Sequence, residues 1–241
     1  MTLYLEWKKL KRTGYLPAII CGGLLASAFP VLNMLVRSEI FTSLSGDPFV
    51  ILMDANWQMM AMLNILLMVC GTCSMYHTEY ADNGIQKMSL LPLRTEALFF
   101  GKLSVTVLSS ALIILMESAV LIGCALYWFP EFQVCISEFL KNVGFELTTM
   151  LPTVVLALLI ASFCRNMWLS LGINVILVFI FSTLPQNQLF LNLCPFSSPY
   201  QLFSTIETNG RTALFIGACM IETIVLILAE WSYTTIRRYF I

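Results

Sequence analysis

Apolar residues run in long unbroken stretches along this chain, and polar residues gather in short intervals between them. A bilayer core about 30 Å thick takes about 20 apolar residues at about 1.5 Å rise each. The pattern predicts six spans, at about 15–36, 55–76, 103–128, 147–164, 167–184 and 212–231. The runs lack the alternation that a lumen-facing barrel strand requires, so they predict helices. The expected fold is an all-α membrane protein, with residues 1–241 forming a single transmembrane domain. Pro30 breaks the first span, and Arg37 closes it. Only Arg165 and Asn166 join the fourth and fifth spans, which predicts a tight antiparallel hairpin.

The polar intervals differ in kind. In residues 1–13, Leu3, Trp7 and Leu10 share one helical face while Glu6, Lys8, Lys9, Lys11 and Arg12 occupy the rest. This predicts an interfacial helix against anionic lipid, with a plain basic flank as the simpler alternative. The longest polar interruption, His77 to Lys102, carries Glu79, Asp82, Lys87, Arg94, Glu96 and Lys102, and predicts a docking site for a soluble partner. Within it the chain predicts a helix end at Asn83-Gly84, a short helical piece to about Leu90, a stop at Leu91-Pro92 and a cap at Thr95-Glu96. From Pro130 to Glu146, Phe132, Ile136, Phe139, Leu140 and Val143 recur at helical spacing beneath Glu131, Glu138 and Glu146. That predicts a second amphipathic helix, on the outer surface. Residues 185–211, with Cys194-Pro195 and Ser198-Pro199, are apolar enough to dip back into the membrane.

Composition sharpens this picture. Of 241 residues, 59% are hydrophobic and 11% charged, against roughly one quarter charged in a soluble domain. A net charge of −1 gives no reason to propose nucleic acid as a partner. Basic residues accumulate on cytoplasmic flanks. With both termini inside, ten of the 13 basic residues (Lys8, Lys9, Lys11, Arg12, Lys87, Arg94, Lys102, Arg165, Arg237 and Arg238) face the cytoplasm, leaving Arg37, Lys141 and Arg211 outside. Glu39, Asp47, Asp54, Glu131, Glu138, Glu146 and Glu207 then give the outer side a net charge of −4. The Ala26-Ser27-Ala28 triplet resembles a signal-peptide cleavage site, but the apolar run continues past it.

Catalytic chemistry finds little footing. Cys70, Cys73 and His77 have metal-ligand spacing, but zinc asks for a fourth ligand and the chain has a single histidine, so packing is the expectation and no metal is assigned. The same count excludes a His-Glu-x-x-His protease. Gly101-Lys102 is followed by Leu103 and preceded by no matching glycine, so no phosphate cradle forms. We assign no catalytic residue and no cofactor to this chain. Glu117 and Glu222 lie inside the third and sixth spans, where an unpaired carboxylate is costly. They are either contacts for a cationic substrate or protonated groups hydrogen-bonded to neighbouring spans. Of the eight cysteines only Cys135 and Cys194 fall in outer loops, and their pairing stays open.

Three stretches carry a family resemblance: the opening LEWKKLKRT; the pattern of Glu79, Gly84, Leu91-Pro92, Arg94 and Gly101-Lys102; and NLCPFSSP before the last span. With six spans and a long first cytoplasmic loop, the chain resembles the permease subunit of an ABC-2 type transporter, in the lantibiotic-immunity and bacitracin-resistance branch. The resemblance implies an exporter half in a bacterial cell membrane, whose ATP and Mg are bound by a dimeric ABC ATPase partner. It also implies a second permease chain, either a copy or a relative. A coupling helix at Asp82 to Leu91 is implied, with Glu79, Asp82, Gly84, Lys87, Met88, Leu90, Pro92 and Arg94 serving the ATPase contact. A cationic amphipathic peptide is the implied cargo, drawn to the acidic outer surface of Glu131, Glu138 and Glu146. Another cargo (lipid, drug or polysaccharide) and a non-transporting immunity or sensor protein are the alternatives.

Overall fold

A computed structural model describes residues 2–11, 13–80, 95–133, 135–164, 166–183 and 189–239, and side chains within 6–11, 13–80, 98–133, 135–164, 166–183 and 191–233. The helices in chain order are α1 (Thr2–Leu10), α2 (Tyr15–Thr42), α3 (Pro48–Tyr80), α4 (Thr95–Trp128), α5 (Ile136–Phe163) and α6 (Met167–Thr183). They are followed by α7 (Leu189–Asn192), a 3₁₀ turn (Ser198–Tyr200), α8 (Phe203–Thr208) and α9 (Thr212–Tyr239). Five of them, α2, α3, α4, α5 and α9, are long and apolar enough to cross a membrane. The sixth, α6, has 17 residues, which at about 1.5 Å each falls just short of the hydrocarbon thickness.

α3 is the central helix, packing against α2, α4, α5 and α6. It buries Leu52, Trp57, Met60, Ile65, Met68 and Val69, a face that continues through most of its length. α2 and α9 lie at the periphery: Leu25, Val36, Leu214 and Ile221 are exposed, an arrangement suited to lipid. Gly14, at φ 72°, turns the chain between α1 and α2, a left-handed conformation that glycine adopts without a Cβ clash. Gly71 lets α2 and α3 approach closely, since a Cβ there would meet Tyr15 Cε2 at 2.8 Å.

Several expected boundaries are corrected. α2 runs past Arg37 to Thr42, with a kink at Arg37 (φ −131°, ψ 28°), and α3 already begins at Pro48. The acidic connection expected over 38–54 is therefore only the stretch 43–47. The outer helix expected over Pro130–Glu146 and the span expected over 147–164 are one continuous helix, α5. Nothing between Val143 and Leu147 breaks helical geometry, and burial of Phe145 and Glu146 carries the helix inward. In α1, Glu6 and Leu10 are buried whereas Trp7 is exposed, because the helix packs on α4 through the Glu6 side. Glu230, on α9, is buried and accepts a hydrogen bond from Ser162 Oγ at 2.8 Å.

The segment before α9 dips into the bundle. Trp57 Nε1 donates to the Pro199 carbonyl at 2.9 Å, Ser198 Oγ donates to the Thr149 carbonyl at 2.8 Å, and Thr153 Oγ1 donates to the Pro195 carbonyl. Thr149 and Thr153 lie more than three turns from the start of α5, so these contacts sit deep along that helix. Phe196 and Ser198 are fully buried. A prolyl segment enters apolar surroundings only where its carbonyls find donors, and Trp57 and Thr153 supply them.

Candidate functional sites

The first site is a charged clamp at the base of the 81–94 segment. Glu79 occupies the last turn of α3, where a helix C-terminus disfavours a carboxylate. Two cations offset this: Lys102 Nζ on α4 donates to Glu79 Oε1 at 2.6 Å, and Lys9 Nζ on α1 at 3.3 Å. Lys9 also donates to Glu6 at 2.9 Å. Lys102 is 1% exposed and stands 5.0 Å from the centroid of the Tyr76 ring, a cation–π contact that adds to its desolvated pairing. Burial, the largest effect on Lys9, pulls its amine down, but the hydrogen bond to Glu6 and the charges of Glu79 and Glu6 outweigh it and hold the amine above its ordinary 10.5. The clamp joins α1, the end of α3 and the start of α4, the two helices between which the 81–94 segment runs.

Of the residues expected to couple to an ATPase, Glu79 is thus buried in this clamp. Asp82, Gly84, Lys87, Met88, Leu90, Pro92 and Arg94 lie outside the described residues. Thr95 begins α4, and the side chain of Glu96 lies outside the described ones.

The second site is a polar cluster inside the bundle. Asn64, in the middle of α3, donates from Nδ2 to Glu117 Oε2 on α4 at 2.6 Å. Glu146, on α5, is buried like Glu117 on a helix that packs against both α3 and α4, and it feels the charge of Glu117. This corrects the placement of Glu146 on the outer surface: it is 4% exposed, inside the bundle, because its helix continues inward without a break. Glu222 does not join the pair. It is half-buried on α9, and Cys194 and Cys219 are the neighbours that feel its charge. An uncompensated carboxylate at mid-bilayer costs about 3 kcal/mol on lenient scales, so Glu117 and Glu146 demand an account.

The third site is a groove at the opposite end from the clamp, lined by Asp47, Phe49, Ile122, Phe132, Cys135, Glu138 and Phe139. Glu131, also exposed, lies on the same connection. Asp47, whose Oδ1 accepts from the Phe49 amide at 2.9 Å, starts α3. Cys135 and Cys194 are both free.

Cys70 and Cys73 point to different environments, one exposed and one buried against Ser170 Oγ at 3.2 Å, and His77 is exposed. Among the described residues no group of three or more His, Cys, Asp or Glu side chains is placed to hold a metal. The sequence reading missed Asn64, Glu6 and Asp47 as members of sites. A signal for Asn64 was present, since an asparagine within an apolar run faces protein in preference to lipid.

A family model described as ABC-2 family transporter protein matches residues 2–181, from α1 through α6. Comparison with curated proteins and with solved structures yields no match.

Proposed function

Since the chain belongs to the ABC-2 family of transporter proteins and is a permease subunit of an ABC transporter, we propose that it forms half of an exporter that removes cationic amphipathic peptides of the lantibiotic class from a bacterial cell membrane. An ABC ATPase dimer, which binds ATP and Mg, docks on the 81–94 segment. A second permease chain, a copy or a relative, completes the pathway. Both termini lie in the cytoplasm, on the side of the clamp. The clamp supports the coupling role: a push on 81–94 reaches α3 and α4 through a rigid buried ion cluster rather than a loose loop.

The observation that carries the substrate class is the small cleft at the far end, whose lining combines the carboxylates Asp47 and Glu138 with Phe49, Ile122, Phe132 and Phe139. Carboxylates at the rim draw a cation from the headgroup region, although salt screens the pull beyond about 8 Å, and aromatic side chains receive its apolar face. Co-expression with the ATPase in a sensitive host tests the reading, with minimum inhibitory concentration as the readout. Severalfold higher tolerance to cationic peptides is expected. Unchanged tolerance, with ATPase activity raised by a neutral lipid, drug or sugar, would assign another cargo. Peptide binding without ATP-dependent export would make the chain a sensor.

A further inference from the structure

We infer that Glu117, Glu146 and Asn64 form a binding site for an organic ammonium group within the bundle, the point at which an amine of the cargo is held; this rests on the export reading above. Four acceptor atoms here, Glu117 Oε1, both carboxylate oxygens of Glu146 and Asn64 Oδ1, are buried with no hydrogen-bond partner. Buried polar atoms are nearly always paired, so a cluster of unpaired acceptors calls for donors from outside. Nearby hydroxyls do not supply them. Ser118 Oγ donates to the Ile114 carbonyl and Thr149 Oγ1 to the Glu146 carbonyl, backbone groups in both cases. Asn64 Nδ2 gives one N–H to Glu117 Oε2, and among the described residues no donor reaches the four acceptors.

Described cations are engaged elsewhere. Lys102 and Lys9 hold Glu79, and Lys8, Lys11, Arg37, Lys141 and Arg211 are exposed. What the cluster lacks is positive charge carrying several N–H donors, and a primary ammonium has three. The buried apolar neighbours favour an amine on an apolar stem over a bare metal ion. Ile114 and Leu121 flank Glu117 at helical spacing, Met68 follows Asn64 and Met150 follows Glu146 by one turn, and all are buried. Calcium asks for six to eight oxygen ligands, which this apolar lining does not offer.

Hydrophobic carbodiimide labelling of the intact permease in nanodiscs, mapped to individual carboxyls by mass spectrometry, tests the site without any variant. n-Octylammonium is the probe and n-octanol the neutral control. Expected is slower labelling of Glu117 and Glu146 with n-octylammonium and no change with n-octanol. Equal labelling rates with and without the amine would overturn the site. With the ATPase partner present, Glu117→Gln and Glu146→Gln are expected to raise the half-maximal concentration of a lysine-bearing amphipathic peptide by at least about tenfold. Its Nε-acetylated form is expected to act equally on wild type and variants. An unchanged response in both variants would sink the inference while leaving peptide export standing. Amine protection with no peptide-stimulated ATPase activity or tolerance would keep the site and remove the peptide as cargo.

Discussion

Lys102 shows how much one side chain carries. It is a buried ammonium with a carboxylate at 2.6 Å and an aromatic ring beside it, so it has no route to water when its partner is lost. Breaking a buried pair by removing one partner costs about 3 to 5 kcal/mol, whereas replacing both with apolar groups is often nearly neutral. Lys102→Met is therefore expected to lower the thermal midpoint of the purified permease, and Glu79→Leu with Lys102→Met to recover most of it. A double variant as unstable as the single one would show that the pair is not the cause. Lys9 makes a prediction of opposite character. Its folded-state amine is raised above 10.5, so its contribution is complete below that pH and is lost only as pH rises through the elevated value. The stability difference between wild type and Lys9→Met should stay level between about pH 6 and about pH 9. A steady decline over that range would contradict the pairing.

At the scale of elements, the fit of α2 to α3 and the docking of the re-entrant segment are the features most open to test. A methyl group at Gly71 would press on Tyr15, whose hydroxyl donates to Ser109 Oγ at 3.1 Å, so the ring cannot move without breaking a buried bond. Overpacking of this kind costs about 1 to 3 kcal/mol, and Gly71→Ala should show it as a lower unfolding midpoint. Trp57→Phe removes the N–H that satisfies the Pro199 carbonyl. The orphaned carbonyl should cost about 1 to 3 kcal/mol and raise proteolysis between α6 and α9. If cleavage there is unchanged, the segment is held by other means.

On the scale of the whole molecule, the two ends of the bundle are chemically distinct. One gathers Glu6, Lys9, Glu79 and Lys102, and the other gathers Asp47 and Glu138 around an apolar groove, with the exposed Glu131 on the adjoining connection. In a cysteine-depleted background, single cysteines at Ser45 and Thr208 should react with an impermeant thiol reagent in intact cells. A cysteine at Ser89 should react only after the membrane is opened. Labelling of Ser89→Cys from outside would invert the orientation. Met88→Asp with Leu90→Asp should release the ATPase while leaving the permease inserted, as judged by co-purification. Retention of a transport-competent complex would remove 81–94 from its coupling role.

The sequence alone determined the membrane class and the helical character, because each span is a local property: about 20 apolar residues in succession have few other solutions. It also anticipated the dip of the segment around Ser198-Pro199, written in a short run of prolines, small residues and apolar residues. Where α5 begins was not legible, since Val143 to Leu147 reads equally as the end of a surface helix or the middle of a longer one. Only packing against α3 and α4 decided that Glu146 turns inward. In the same way nothing local to Glu79 reveals Lys9, 70 residues away, or ties Asn64 to Glu117. Charge pairing inside a bundle is a property of which faces meet, and ridge-into-groove packing sets that only when the helices assemble.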